Sequence, residues 1–294
     1  MSTTSTNTPR NPVWLITGAS SGFGLALAKE TLSRSHAVIA TSRSTSSRGM
    51  VSLASLGAQT LALDVTASES ELSETIAKAA SLVPGGRITH VVNCAGYILE
   101  GAVEETTQEE VRKVFETNVL GSVNVARAVV GKLRETKGVL VNMGSLGSWM
   151  SGGGFALYCS TKWAVSGLTE GLRDELKPFG IRVCCVEPGY TRTSFLAEGG
   201  GHRFKAVRAL ERYDGLGYRE RLNAYNGEQP GDVDRCAVAM VDLLTGTGMA
   251  EGKEIPMRLV LGSDCLEVVR NKCESTLKLV KAWETVSRFA DGQR

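Results

Sequence analysis

A chain of 294 residues with 42% hydrophobic and 22% charged positions has the make-up of a globular protein, and it can bury a large core without disulfides or a metal. Its 33 Lys+Arg and 31 Asp+Glu leave a net charge of +2, which gives no electrostatic reason to expect a nucleic acid or a membrane surface as partner. No apolar run approaches the length of a transmembrane helix, and the 7 cysteines form no Cys-x-x-Cys pair and lie apart from His36, His90 and His202. No metal site is expected, and unpaired thiols point to a reducing, cytoplasmic setting.

In chain order, Met1 to Pro12 is Ser/Thr-rich and reads as a disordered tail. Short β-branched or aliphatic runs follow at Val13–Thr17, Ala37–Thr41, Gln59–Leu63, His90–Asn93, Val139–Met143, Ile181–Glu187 and Arg258–Leu261. Helical patterns fall between them, at Gly22–Ser33, Glu69–Leu82, Thr107–Leu133, Leu157–Lys177 and Asp232–Leu244. Runs that are apolar throughout suit strands buried on both faces, and helices between them supply the crossovers that parallel strands require. The expectation is an α/β fold of Rossmann type: one doubly wound parallel sheet of about seven strands, forming a single domain over residues 13–294. The glycine-rich stretch Thr193–Pro230 breaks the rhythm and reads as a substrate lid. Asp264–Arg288 reads as a C-terminal helix, its apolar stripe docked on the body or on a partner.

The first strand runs into Thr17-Gly18-Ala19-Ser20-Ser21-Gly22-Phe23-Gly24 and then a helix. Gly18 permits a tight turn, Gly22 lets a ligand approach the backbone, and Gly24 brings helix and strand together. A helix N-terminus placed there offers N–H groups and partial positive charge to a diphosphate. Dinucleotide sites usually carry an acid about twenty residues further on, for the ribose hydroxyls. Ser42 stands there instead, followed by Arg43. An arginine pairs with a 2′-phosphate that an acid would repel, so NADP is expected over NAD. The alternative is an ordinary solvated arginine in a Ser-rich loop.

Tyr158 and Lys162 are four apart at the start of a helical stretch, hence on one face. A tyrosine titrates near pH 10, and a neighbouring ammonium favours its phenolate. Ser145, just past the strand Val139–Met143, is placed at the same crevice, where a hydroxyl can bond a substrate carbonyl; a plain turn residue is the other reading. Asn118 shares a helical stripe with Val111, Phe115 and Ser122, so its amide points inward and needs partners, a water leading to Lys162 among them.

Together these residues resemble the short-chain dehydrogenase/reductase family from about Val13 to Leu261. The matching motifs are Thr17-Gly18-x-x-x-Gly22-x-Gly24, Asp64-Val65, Asn93-Cys94-Ala95-Gly96, Asn118, Ser145, Tyr158-x-x-x-Lys162 and Pro188-Gly189 with Thr193. Cys94 and Gly144 depart from the commoner Asn and Ser of the pattern. The resemblance implies a catalytic tetrad in which Ser145 positions the carbonyl, Tyr158 is the general acid, Lys162 tunes it and grips the nicotinamide ribose, and Asn118 holds a relay water. It implies that Asp64 and Val65 flank the adenine, that Asn93, Ala95 and Gly96 line the cofactor cleft, and that Pro188, Gly189, Thr191 and Thr193 lie on the nicotinamide side. Ser20, Ser21 and Phe23 complete the phosphate loop.

The expected activity is NADP-dependent reduction of a ketone or aldehyde, or oxidation of the matching alcohol. A sensor that binds NADP without turnover, or a reductase of a C=N bond, stays open at this point. Tyr97, Leu146, Trp149, Met150, Phe155, Tyr190 and Phe195 fall near the crevice and suggest an apolar substrate. The resemblance also implies a homo-oligomer built through helices 107–133 and 157–177.

Overall fold

The computed structural model describes residues 11–197 and 199–292. Of the expected tail, residues 1–10 lie outside the described residues, and Pro12 already hydrogen-bonds through its carbonyl to Ala37. The strands are β1 (Val13–Thr17), β2 (Ala37–Ser42), β3 (Gln59–Ala62), β4 (His90–Asn93), β5 (Ile98–Glu100), β6 (Val139–Met143), β7 (Arg182–Pro188), β8 (Thr191–Arg192), β9 (Arg203–Lys205), β10 (Gly231–Asp232) and β11 (Arg258–Leu261). The helices are α1 (Gly22–Ser33), α2 (Arg48–Ser55), α3 (Glu69–Ser81), α4 (Gln108–Phe115), α5 (Gly121–Thr136), α6 (Ala156–Leu176), α7 (Tyr218–Tyr225), α8 (Val233–Thr245) and α9 (Ser263–Phe289).

Seven strands form one parallel sheet in the order β11-β7-β6-β4-β1-β2-β3, the doubly wound arrangement expected. Period-two alternation divides each strand between two cores. Trp14 and Ile16 pack with Leu27, Met50, Leu53 and Met240 on one face. Val13 and Leu15 pack with Leu72, Ile76, Val129 and Leu133 on the other. Register sets the carboxyl ends of β1, β4 and β6 side by side: Thr17 is opposite Asn93, and Asn93 is opposite Asn142. The glycine loop after β1 and the connections after β4 and β6 leave the sheet from that edge.

The helix expected over 107–133 forms as one continuous run to Thr136, with a π turn at Glu116–Leu120 in which the Gly121 N–H donates to the Glu116 carbonyl. Of the two surfaces expected to take the apolar stripe of α9, the body covers little of it: Cys265 is buried, while Leu277 is 70% and Trp283 57% exposed. Among the described residues, no helix is long and apolar enough to cross a membrane, and no group of His, Cys, Asp or Glu is placed to hold a metal ion. All 7 cysteines are unpaired.

Candidate active site

The glycine loop leaves β1 and lies flat against the chain that leaves β4. Gly18 has φ +63°, and a Cβ there would stand 2.8 Å from the backbone of Ala95. One at Gly24 would stand 2.5 Å from the carbonyl oxygen of Gly18, so only hydrogen lets α1 close onto the loop. Thr17 is buried and its hydroxyl accepts from the N–H groups of Cys94 (3.2 Å) and Ala95 (3.4 Å), locking the two strand ends together. Ser21 is the N-cap of α1, yet its side chain makes no cap bond. The first-turn N–H groups therefore keep their capacity for an anion. Ser21, Gly22, Phe23 and Gly24 line a cleft of about 370 Å³. Ser20 sits in the loop beside them.

The residues expected at the adenine end lie beyond that cleft. Ser42 is buried and donates to the carbonyl of Ser44 at 2.6 Å. Arg43 is exposed and has no hydrogen bond or ion pair among the described residues. Asp64 accepts from the N–H (2.9 Å) and hydroxyl (2.8 Å) of Thr66, and the buried Val65 accepts from Asn124 through its carbonyl. Asn93 stands behind the wall, its amide donating to Asn142 Oδ1 at 2.9 Å. Ala95 and Gly96 form the wall itself, and Pro188, Gly189, Thr191 and Thr193 line the opposite side.

Ser145, Tyr158 and Lys162 converge on the same cleft. The Ser145 hydroxyl accepts from Gly147 N–H at 3.0 Å and stands in the same cleft as the Tyr158 phenol. Burial pushes the phenol above its ordinary pKa, and the nearby Ser145 hydroxyl opposes that shift. Lys162 Nζ donates to the Met143 carbonyl at 2.8 Å and lies 5.9 Å from the centre of the Tyr158 ring. Burial lowers its pKa to about 8. From the sequence the ammonium is expected to favour the phenolate; in the structure desolvation outweighs it and favours the protonated phenol. No carboxylate pairs with Lys162 among the described residues, and the neighbouring Cys94 and Cys185 are neutral thiols with pKa pushed up to about 12 and about 11. A buried cation without a counter-ion is costly, so the site is built to meet negative charge that develops during a reaction.

Asn118 occupies the π turn, a distortion frequent at functional sites. Its side-chain amide is tied to the protein: Nδ2 donates to the Tyr97 carbonyl (2.9 Å) and Thr161 Oγ1 (3.1 Å), and Oδ1 accepts from Tyr97 N–H (3.0 Å). It thus pins the Gly96–Tyr97 wall beside Lys162. Of the apolar residues expected at the crevice, Leu146, Met150, Phe155, Tyr190 and Phe195 line it. Tyr97 and Trp149 do not. The Tyr97 ring packs edge-on against Phe204, and Trp149 Nε1 donates to the buried Glu187 at 2.7 Å under the Arg258 guanidinium.

The segment 193–230 carries structure of its own. β8 pairs with β10 at its ends, and β9 pairs with β5 next to the cleft wall. Buried Arg203 binds Glu100 at 2.5 Å and Asn223 at 2.7 Å, and Glu105 accepts from both Tyr218 and Arg219. Sequence reasoning missed His202, whose Nε2 is 2.6 Å from the Ser21 hydroxyl. A lone histidine has no local pattern that could have revealed that contact.

Fold and site define an oxidoreductase of the dinucleotide-binding α/β class. The model of the short chain dehydrogenase family matches residues 12–201, and the chain belongs to that family. It is 31% identical over 282 residues to oxidoreductase BOA17 of Botryotinia fuckeliana, covering 94% of this chain and 97% of that one. It is 38% identical over 183 residues to a 3-ketodihydrosphingosine reductase of Bacteroides thetaiotaomicron, covering 62% and 64%. A crystal structure of a short-chain dehydrogenase from Streptomyces avermitilis superposes with a TM-score of 0.84 at 35% identity, over 97% of this chain and 100% of that one.

Proposed function

We propose that the protein is an NADP-dependent reductase of an apolar ketone or aldehyde, able in principle to oxidise the corresponding alcohol. The observation that carries this reading is the meeting of Tyr158, Ser145 and Lys162 in one cleft with the uncapped N-terminus of α1. The glycine loop and α1 would hold the diphosphate, and exposed, unpaired Arg43 would take the 2′-phosphate. When bound, the reduced nicotinamide supplies a hydride to the carbonyl carbon. Ser145 donates a hydrogen bond to the carbonyl oxygen, and Tyr158 delivers its proton there as general acid. The Lys162 ammonium, fixed to the Met143 carbonyl, stabilises the phenolate left behind. Leu146, Met150, Phe155 and Phe195 exclude water and favour an apolar substrate. The name of the Bacteroides relative, a keto reductase, agrees with this chemistry.

A panel of apolar ketones and aldehydes incubated with NADPH and with NADH tests the reading. Consumption of NADPH by at least one carbonyl compound, faster than of NADH, is expected. Tight NADPH binding with no turnover across the panel would leave a binding protein in place of a reductase.

A further inference from the structure

The segment 193–230 reaches the glycine loop through one side chain. His202 precedes Arg203, whose buried pairs with Glu100 and Asn223 fix the backbone, and the His202 carbonyl accepts from Ile98 N–H at 2.8 Å. From that anchored base the half-buried imidazole reaches the glycine loop: Nε2 meets the Ser21 hydroxyl at 2.6 Å, and the nearby Gly96 carbonyl favours the protonated ring. The Phe195 ring stacks on it with 6.3 Å between centroids and an interplanar angle of 18°. Ser21 and Gly96 both line the cleft beside the glycine loop, and Ser21 is the residue that leaves α1 uncapped. Nothing in the fold of the sheet calls for a histidine at this point.

We propose that His202 is a cofactor-binding residue: on binding, Nε2 exchanges its contact with the Ser21 hydroxyl for a hydrogen bond donated to the diphosphate of the dinucleotide, and the ring takes up a proton as it does so. The inference rests on reading the cleft as a dinucleotide site, and it gives segment 193–230 a direct contact with the cofactor in addition to the substrate. The groups facing the ring are the Ser21 hydroxyl from the glycine loop, the Gly96 carbonyl from the β4–β5 connection, Phe195 from its own segment, and the charge of Arg43 beyond the end of β2. Burial and the Arg43 charge lower the imidazole below its usual pKa, against a raising contribution from the Gly96 carbonyl, and favour the neutral ring. Phosphate charge arriving against the ring favours the imidazolium and opposes both lowering influences, so binding raises the pKa and draws a proton from solvent.

Isothermal titration of NADPH into the full chain at pH 7, in buffers of different ionisation enthalpy, counts those protons. The wild type is expected to take up a fraction of a proton per NADPH bound. His202→Phe, which keeps the stacking on Phe195, and His202→Gln, which keeps a neutral donor, should both lose that uptake. His202→Phe should also bind NADPH roughly tenfold to a hundredfold more weakly, with His202→Gln between it and the wild type. Unchanged affinity and unchanged proton uptake in both variants would overturn the proposal. Weaker binding with the wild-type proton count would overturn it too, leaving His202 a structural latch. A wild type that binds neither NADPH nor NADH would instead remove the dinucleotide reading, and this inference with it.

Discussion

At the residue scale the site is governed by desolvation. Tyr158 is kept protonated and Lys162 is brought down to a pKa of about 8 by the same apolar surroundings. The sign for catalysis follows directly. Reduction needs the phenol protonated and the ammonium charged, so below pH 8 both conditions hold. As pH rises through about 8 the ammonium is lost while the phenol, titrating higher, remains. A kcat/KM profile for carbonyl reduction should therefore fall on its alkaline side near pH 8, and Lys162→Arg should move that limb upward because arginine stays charged. A profile flat to pH 10 would contradict the role given to Lys162. Arg43 permits a second test. Arg43→Asp places a negative charge where the 2′-phosphate is proposed to sit, and the ratio of kcat/KM for NADPH over NADH should fall by roughly a hundredfold. An unchanged ratio would return Arg43 to the solvated surface.

At the element scale, the π turn and the paired short strands decide the cleft's shape. Asn118 satisfies the backbone of Tyr97 and the hydroxyl of Thr161 from inside the turn. Asn118→Ala leaves the half-buried Tyr97 N–H and carbonyl without that partner, while the Thr161 hydroxyl keeps its bond to the Tyr158 carbonyl, a cost of roughly 1–3 kcal/mol. Both the melting temperature and NADPH affinity should drop; a variant normal in both would show that the wall stands without the amide. Legibility in the sequence follows the same division. β1, β4 and β6 have the bounds read from their apolar runs, because a strand buried on both faces writes its identity locally, and the half-buried edge strand β11 keeps the bounds of its aliphatic run as well. The helix α2 did not show, since Arg48–Ser55 lies in a Ser-rich stretch and gains its helix from the Ser47 cap and the burial of Met50 and Leu53. β5 and β9 were illegible for a different reason. Each has 3 residues, and their pairing depends on the buried Glu100–Arg203 contact between positions far apart in the chain. Ser145, Tyr158 and Lys162 were found because their spacing matched a motif, whereas His202 acquires its place through a contact 181 residues away.

At the scale of the whole molecule, the two cores on either side of the sheet set stability, and one of them contains a titratable group. His90 of β4 is buried, stacked on Trp14 at 4.3 Å, with Nε2 at 3.0 Å from the Leu244 carbonyl. Burial lowers its pKa from 6.5 to about 4. The unfolded chain then binds the proton between those values and the folded chain does not, so stability is complete above pH 6.5 and declines as pH falls toward 4. The decline amounts to about 3 kcal/mol. Denaturant unfolding at pH 4 to 7 should show it in the wild type, and His90→Phe, which keeps the stack on Trp14, should flatten it. Equal slopes in the two proteins would assign the loss elsewhere.

The same sheet brings Ser145, Tyr158 and Lys162 together at its carboxyl edge, and the proposed reaction depends on Tyr158 giving its proton there. Tyr158→Phe removes one hydroxyl from that edge and leaves the glycine loop untouched. Carbonyl reduction by NADPH should fall by roughly 10²–10⁴-fold or more in this variant while NADPH binds with the wild-type affinity. Substantial reduction by Tyr158→Phe at saturating NADPH would take the tyrosine out of the reaction and contradict the mechanism.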